Sequence, residues 1–119
     1  MSTTFDVYEH YRRSERLFEL RDYTGAADLL ERLLAETALD PALAGHGVLE
    51  ARLLLARAYF HAARLHRAEE AARAVLAEDP TEAYAALLLA RTLQRLSRPE
   101  EAARAMALAT ALGAPGTGD

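Results

Sequence analysis

The fold is decided by a short stretch, Leu55-Ala56-Arg57-Ala58-Tyr59, that returns further along the chain as Leu89-Ala90-Arg91-Thr92-Leu93. The offset in numbering between the two copies is 34, and the segment that follows keeps it, since Ala68 is matched by Ala102. An offset shared by two separate segments indicates a repeated unit, and a period of this length is typical of stacked helical pairs. Because one such unit cannot bury its apolar face alone, we expect several units to share a core.

A third and weaker copy precedes these two. Ser14 aligns with Ala56 and Ala26 aligns with Ala68, and the two residues of each pair are 42 positions apart. The eight extra residues fit best at Pro41–Val48, where a proline and two glycines are typical of a loop. We therefore expect a single domain in residues 1–119, with repeat 1 at 7–40, the loop insertion at 41–48, repeat 2 at 49–82 and repeat 3 at 83–116.

Each unit is expected to form two helices. In the third unit, Asp79-Pro80-Thr81-Glu82 has the pattern of a capping box with proline at the first helical position, which predicts that a helix begins there. We expect Ser97 to cap the second helix of this unit ahead of Pro99, and we expect the turn of the first unit at Asp22-Tyr23-Thr24-Gly25. Small or apolar residues recur at helical spacing in all three units, at Ser14 and Leu17; Ala26, Leu30 and Leu33; Leu55, Ala56 and Tyr59; Ala68, Ala72 and Val75; Ala86, Leu89, Ala90 and Leu93; and Ala102, Met106 and Ala109.

The composition fits a folded helical domain. The chain is 51% hydrophobic and 27% charged, and it is rich in Ala and Leu, the strongest helix formers. It contains no cysteine, which excludes disulfide scaffolds, cysteine-ligated zinc and thiol catalysis. Lysine is absent, and we expect a GC-rich coding bias to account for most of this preference for arginine; the alternative is a selection of arginine for carboxylate binding. With no cleavable signal and no apolar run long enough for a membrane span, we expect a soluble, cytoplasmic, bacterial protein.

The repeats resemble the tetratricopeptide repeat (TPR) family, whose pattern is W-x₂-L-G-x₂-Y, then A-x₃-F, then P. The second unit matches that pattern at Leu55-Ala56, Tyr59, Ala68, Ala72 and Pro80. The sequence departs from it where His10, Arg52 and Ala86 replace the tryptophan, Arg13 replaces the leucine of unit one and Ala114 replaces the proline of unit three. The resemblance covers nearly the whole chain. It implies an all-α fold, a right-handed α-solenoid of three helix–turn–helix TPR units (six helices) without a separate C-terminal capping helix.

The resemblance also implies a binding surface, because the first helices of TPR units line a concave groove that holds a peptide from a partner protein. Carried over position by position, the groove residues are Tyr8, Tyr11 and Glu15; Leu53, Arg57, Phe60 and His61; and Tyr84, Leu87, Arg91, Gln94 and Arg95. Guanidinium groups suit carboxylates and aromatic faces suit apolar side chains, so we expect an acidic partner segment, extended or helical. The alternative is that the arginines are solvated residues paired with neighbours such as Glu50 or Glu82, and that the tyrosines are packing residues.

One kind of ligand is not expected. Some chaperone-binding TPR proteins hold a carboxylate with a clamp of Lys and Asn, and this chain contains neither residue. We therefore do not expect the tail of a heat-shock chaperone to bind.

The last helical segment suggests a second interaction surface. No charged residue follows Arg104 until the end of this segment, and its apolar residues surround the helix. An apolar face that no capping helix covers is typical of an association site, so we expect self-association or partner binding through Met106, Leu108 and Leu112. The alternative is that the alanines expose too little area to drive dimer formation.

Other classes of function find little support. His61 and His66 are five residues apart and fall on different faces of a helix, and His46 lies in a glycine-flanked loop. No glycine-rich phosphate loop is present, and a net charge of −4 disfavours nucleic-acid binding. We expect no catalytic activity, no metal and no cofactor. The sequence thus favours a protein-interaction module (an adaptor, co-chaperone or assembly factor), and the alternative is a purely structural helical unit that oligomerises through its last helix.

Overall fold

Helices account for almost all of the regular structure. The computed structural model describes residues 6–43 and 47–116. Within these ranges the chain forms α1 (Val7–Glu19), α2 (Tyr23–Leu39), a short 3₁₀ turn (Pro41–Leu43), α3 (Val48–His61), α4 (Leu65–Glu78), α5 (Ala83–Arg95) and α6 (Pro99–Ala111). The described residues contain no strand. The expectation of an all-α fold is confirmed.

The helices pack as three consecutive pairs. α1 packs on α2, α3 on α4 and α5 on α6, while α2 meets α3 and α4 meets α5 between the pairs. The first helices of neighbouring pairs also touch, α1 with α3 and α3 with α5. Over the described ranges, the backbones of α2 and α4, and those of α4 and α6, do not approach each other to a comparable extent. The first helices therefore lie closer together than the second helices, so they form the inner, concave face of the stack.

The predicted small positions lie in equivalent surroundings. Ser14, Ala56 and Ala90 of the first helices are each 0% exposed. Their partners in the second helices, Ala68 and Ala102, are 0% and 2% exposed. The Ser14 hydroxyl donates a hydrogen bond to the His10 carbonyl at 2.8 Å, which compensates for the burial of this polar group. A small side chain at these positions lets the paired helices approach closely, and a larger one would cost about 1–3 kcal/mol through overpacking.

Four helices end in the same hydrogen-bonded turn. Arg21, Ala63, Ser97 and Gly113 follow α1, α3, α5 and α6 in the left-handed conformation, with φ of 64°, 62°, 60° and 82°. After α5, the Ser97 N–H donates to the Gln94 carbonyl at 3.1 Å and the Arg98 N–H donates to the Leu93 carbonyl at 3.0 Å, which is the Schellman pattern. The expectation that Ser97 caps α6 is therefore wrong. Ser97 terminates the preceding helix instead, and Arg98 precedes Pro99, which is the first helical residue as predicted.

This shared turn gives a prediction about stability. Ala63→Gly is expected to raise the free energy of unfolding by up to about 1 kcal/mol, because an L-residue with a side chain is strained at positive φ and glycine is not. The matched control is Ala103→Gly, at an exposed position inside α6, where glycine is expected to cost about 1 kcal/mol. Urea unfolding monitored by circular dichroism checks both signs. Destabilisation by Ala63→Gly would contradict the role of the turn.

Two helix starts differ from expectation. α5 begins at Ala83, because Asp79 is the C-cap of α4 and closes a turn in which its carboxylate accepts from the Thr81 N–H at 3.0 Å and the Thr81 hydroxyl at 2.6 Å. Glu82 caps α5 by accepting from the Tyr84 N–H at 3.1 Å. Asp79 therefore serves the end of one helix instead of the start of the next.

The turn of the first unit also lies earlier than expected. Asp22 is the N-cap of α2 and accepts from the Gly25 N–H at 2.9 Å, so Tyr23, Thr24 and Gly25 belong to the first helical turn. The reason is that the α1 terminator, Arg21, immediately precedes this cap.

An ion-pair network joins α4 to α6 on the outer face. Arg98 donates to both oxygens of Glu69 at 2.7 and 3.0 Å, and Arg73 donates to Glu69 at 3.0 Å. Glu101 extends the network by accepting from Arg98 and lying 3.5 Å from Arg73. The Glu69 side chain is only 13% exposed, so this network is shielded better than an ordinary surface pair.

The network predicts an acid-sensitive contribution to stability. The hydrogen bonds from Arg98 and the one from Arg73 lower the pKa of Glu69 from its ordinary 4.5, although burial opposes them. A lowered carboxyl pKa contributes stability that is present above the unfolded-state pKa and lost as the pH falls through the folded-state value. We expect Glu69→Gln to lower the melting temperature at pH 7 and to have a shrinking effect below about pH 4.5. Glu70→Gln, on the exposed neighbour, is the control, and an equal pH profile for both variants would contradict the assignment.

Candidate functional site

The residues predicted to line the groove lie on α1, α3 and α5, and most of them are accessible. Tyr8 (69% exposed), His61, Arg91, Gln94 and Arg95 are exposed, while Tyr11, Glu15, Leu53, Arg57, Phe60 and Tyr84 are half-buried. Leu87 is different, because it is 7% exposed and packs in a cluster with Ala86, Ala109 and Ala114. Its side chain therefore belongs to the core, where the chain that follows α6 covers it.

Arg57 lies at the centre of this face, between two aromatic rings. Its guanidinium carbon lies 4.7 Å from the centroid of the Phe18 ring on α1 and 5.2 Å from that of the Tyr84 ring on α5. The Nε atom is buried and has no hydrogen-bond partner in the structure. Among the described residues, no acceptor engages the terminal nitrogens of Arg57 either. The side chain thus bridges all three first helices while its charge stays unpaired.

The surroundings of Arg57 combine charge with open space. A cavity of about 340 Å³ lies against it, lined also by Glu15, Phe18, Glu19, Arg21, Tyr23 and Leu54. Neither Glu15 nor Glu19 forms an ion pair within the described part of the chain. The cavity therefore holds two carboxylates together with the guanidinium groups of Arg57 and Arg21, and it leaves open space beside Arg57.

Four rings assemble beside the arginine. His61 stacks on Tyr23, with 4.9 Å between centroids and an interplanar angle of 22°, and it meets Phe18 and Phe60 edge-on at 5.5 Å each. Burial and the charges of Arg57 and Arg95 lower the pKa of His61. The imidazole is therefore neutral at pH 7 and acts as one more flat face of the groove wall.

The basic character continues along α5. The guanidinium of Arg95 lies 5.1 Å from the centroid of the Phe60 ring and donates to the Phe60 carbonyl at 3.4 Å. Arg91 is exposed one helical turn earlier. The groove thus presents three guanidinium groups, and two of them are held on aromatic faces.

Sequence reasoning missed Phe18, which is a central element of the site. Phe18 precedes Phe60 by the same number of residues as Ser14 precedes Ala56, so the two phenylalanines occupy equivalent repeat positions. Applying that offset to the groove positions as well as to the core positions would have found it. The contact between Phe18 and Arg57 could not be read from the spacing within one helix, because it depends on how α1 lies against α3.

The residues expected to mediate self-association differ in exposure. Leu108 is 41% exposed, whereas Met106 and Leu112 are half-buried and pack against the last core cluster. Ala107 and Ala111 are exposed on the same helix. The exposed apolar surface of α6 is therefore one leucine flanked by alanines.

The described residues lack two other kinds of feature. These residues contain no group of three or more His, Cys, Asp or Glu side chains placed to hold a metal ion. His46 lies outside the described ranges. No described helix combines the length and apolar character that a membrane crossing requires.

Comparison with known proteins identifies the fold. No protein-family model and no curated protein sequence matches the chain. A chain in a CopN–Scc3 complex matches with a TM-score of 0.77 at 13% identity, over 95% of this chain and 62% of that one. A kinesin light chain of Podosopora anserina, with nearly identical TPR-like repeats, matches with a TM-score of 0.72 at 22% identity, over 92% of this chain and 56% of that one. This chain thus spans less than two thirds of either structure, and it has the fold of a TPR-like helical-repeat solenoid.

Proposed function

We propose that the chain is a protein-interaction module rather than an enzyme, and that its concave face binds a partner segment carrying a carboxylate. The observation that carries the proposal is the state of Arg57, which is stacked between Phe18 and Tyr84 and has no ion pair among the described residues. An adaptor, co-chaperone or assembly role is consistent with such a module.

The two rings make Arg57 a preorganised anchor. A free arginine loses much rotamer entropy when it is fixed on a ligand, but stacking on two rings has already fixed this one. Guanidinium groups bind carboxylates through paired N–H donors, and a charge-assisted hydrogen bond is about twice as strong as a neutral one. A carboxylate bound here would gain affinity without the cost of ordering the arginine.

The two positive charges of Arg57 and Arg95 favour an anion over an apolar ligand. The Arg57 guanidinium and its neighbour Arg95 both act on His61, which places two positive charges on one stretch of groove wall. An apolar ligand would desolvate these charges without compensation, and that is unfavourable. The fold also supports the proposal, because one of the matching structures is a chain in a two-protein complex.

The experiment compares two peptides that differ in charge alone. One carries glutamates and the other carries glutamines at the same positions, and both are titrated into the protein while fluorescence anisotropy is recorded. We expect the glutamate peptide to bind at least tenfold more tightly, and this advantage to decrease as salt is raised from about 0.05 M to about 0.5 M. Equal affinity for both peptides, or no binding of either, would contradict the proposal.

A second candidate function rests on Leu108. This residue is exposed on α6 between Ala107 and Ala111, so the helix could pair with a second copy of the chain. In this alternative the protein is a structural oligomerisation unit with an inert groove. Light scattering distinguishes the two candidates. Concentration-dependent dimers that Leu108→Glu abolishes would support oligomerisation, and a strict monomer at high concentration would exclude it.

A further inference from the structure

A second pocket lies on the same face, at the N-terminal ends of α1 and α3. It has a volume of about 360 Å³ and is lined mostly by apolar atoms of Val7, Tyr8, Tyr11, Gly47 and Glu50. Glu50 lies seven residues before Arg57 on α3, so the pocket and the arginine are two helical turns apart. A single bound segment can therefore reach both.

The pocket joins aromatic faces to a free carboxylate. The Tyr8 side chain is 69% exposed, and Arg12 already places its guanidinium 5.7 Å from the centroid of this ring. Tyr8 therefore accepts a cation in the folded chain, and most of its surface remains open to another. Glu50 is exposed and forms no ion pair with any described residue.

Two carboxylates act on the Tyr11 hydroxyl in this pocket. Burial, followed by the charges of Glu15 and Glu50, raises the pKa of Tyr11, and Arg57 opposes this effect. An acidic ligand group would be repelled here, and an apolar group would desolvate Glu50 without a partner. A cation satisfies both requirements, because it pairs with the carboxylate and attracts the ring faces.

We propose that this pocket binds a lysine or arginine side chain of the partner segment whose carboxylate binds Arg57. This inference rests on the proposed function and makes it more specific. The ligand is then a charge-polarised segment, with a basic residue at the Tyr8–Glu50 end of the groove and an acidic residue at Arg57.

The geometry sets the spacing of the two charges. Seven residues of α3 separate Glu50 from Arg57, which corresponds to about 10 Å along the helix axis. An extended peptide covers that distance in about three residues and a helical peptide covers it in about seven. A basic and an acidic residue about three apart, or about seven apart, are therefore expected in the partner.

The test is an NMR titration of the ¹⁵N-labelled protein with synthetic peptides. Each peptide carries one Glu and one Lys in an Ala–Ser background, at separations from about one to about eight residues, and each has a partner peptide with Gln in place of Lys. We expect the Lys peptides to bind about fivefold or more tightly than their Gln partners at the favoured separation. We also expect them to shift the amides of Tyr8, Tyr11 and Glu50.

Protein variants provide the controls. In Glu50→Gln we expect the Lys peptides and the Gln peptides to bind with equal affinity. The matched control is Glu70→Gln, at an exposed position on α4, where we expect the Lys peptides still to bind more tightly. Equal binding of Lys and Gln peptides to the wild-type protein would overturn the cation pocket and leave the Arg57 proposal standing. Failure of every Glu-containing peptide to bind would overturn both proposals.

Discussion

Leu93→Ala is expected to lower the free energy of unfolding by about 3 kcal/mol, within the 2–5 kcal/mol range for buried leucines. Leu93 is 1% exposed and lies in a core cluster with Ala56 and Ala72 of the second unit. Truncation would therefore leave a cavity at the contact between two units. Because stacked units are stable only together, the loss is expected to affect the whole cooperative transition.

Urea unfolding followed by circular dichroism measures this effect. The control is Leu39→Ala at the exposed end of α2, where the side chain is 80% exposed and the expected change is within about 0.5 kcal/mol. Equal losses for the two variants would contradict the stacked core. A biphasic transition for Leu93→Ala alone would mean that the units unfold separately.

Arg57→Ala is expected to weaken binding of the glutamate peptide by more than tenfold, or about 1.4 kcal/mol or more. The variant removes both the donors and the stacked group between Phe18 and Tyr84. Arg57→Lys is expected to recover only part of the loss, because an ammonium keeps the charge but has no planar fork to stack or to pair with both carboxylate oxygens.

The control for charge is Arg32→Ala, at an exposed position on α2. It removes the same net charge without touching the concave face, so its affinity is expected to stay within twofold of the wild type. Circular dichroism spectra establish that each variant is folded. An Arg57→Ala variant that binds as tightly as Arg32→Ala would remove Arg57 from the binding site.

The register of the repeats could be predicted from the sequence because it depends on residue size. Only small side chains allow the close approach at Ser14, Ala56 and Ala90, and all three are buried as expected. The resulting periodicity is present although His10, Arg52 and Ala86 stand where the TPR pattern has tryptophan. The helical content follows from the same pattern.

The exact helix boundaries could not be predicted because several residues can serve either of two neighbouring helices. Asp79 is of a residue type that often caps the start of a helix, yet it ends α4 and closes a turn with Thr81. Ser97 is also of a residue type that often caps the start of a helix, but it adopts the left-handed conformation that ends α5. The choice depends on where the preceding helix stops, and local sequence alone does not determine that.

The candidate site was predicted in part. The resemblance to TPR units implies that Arg57 lines the groove, and helical spacing puts it on the same side of α3 as Leu53 and Phe60. Spacing does not reveal the rings on either side of it, since Phe18 and Tyr84 come from other helices. It also does not distinguish Leu87, which has the position of a groove residue but is covered by Ala114 and its neighbours.

The most direct test of a carboxylate-binding concave face is the set of amide shifts that the glutamate peptide induces in the ¹⁵N-labelled protein. We expect the shifts to concentrate on α1, α3 and α5, to be largest around Phe18, Arg57 and Tyr84, and to vanish in Arg57→Ala. Shifts confined to α4 and α6, or a saturating response that Arg57→Ala leaves unchanged, would contradict carboxylate binding at the concave face.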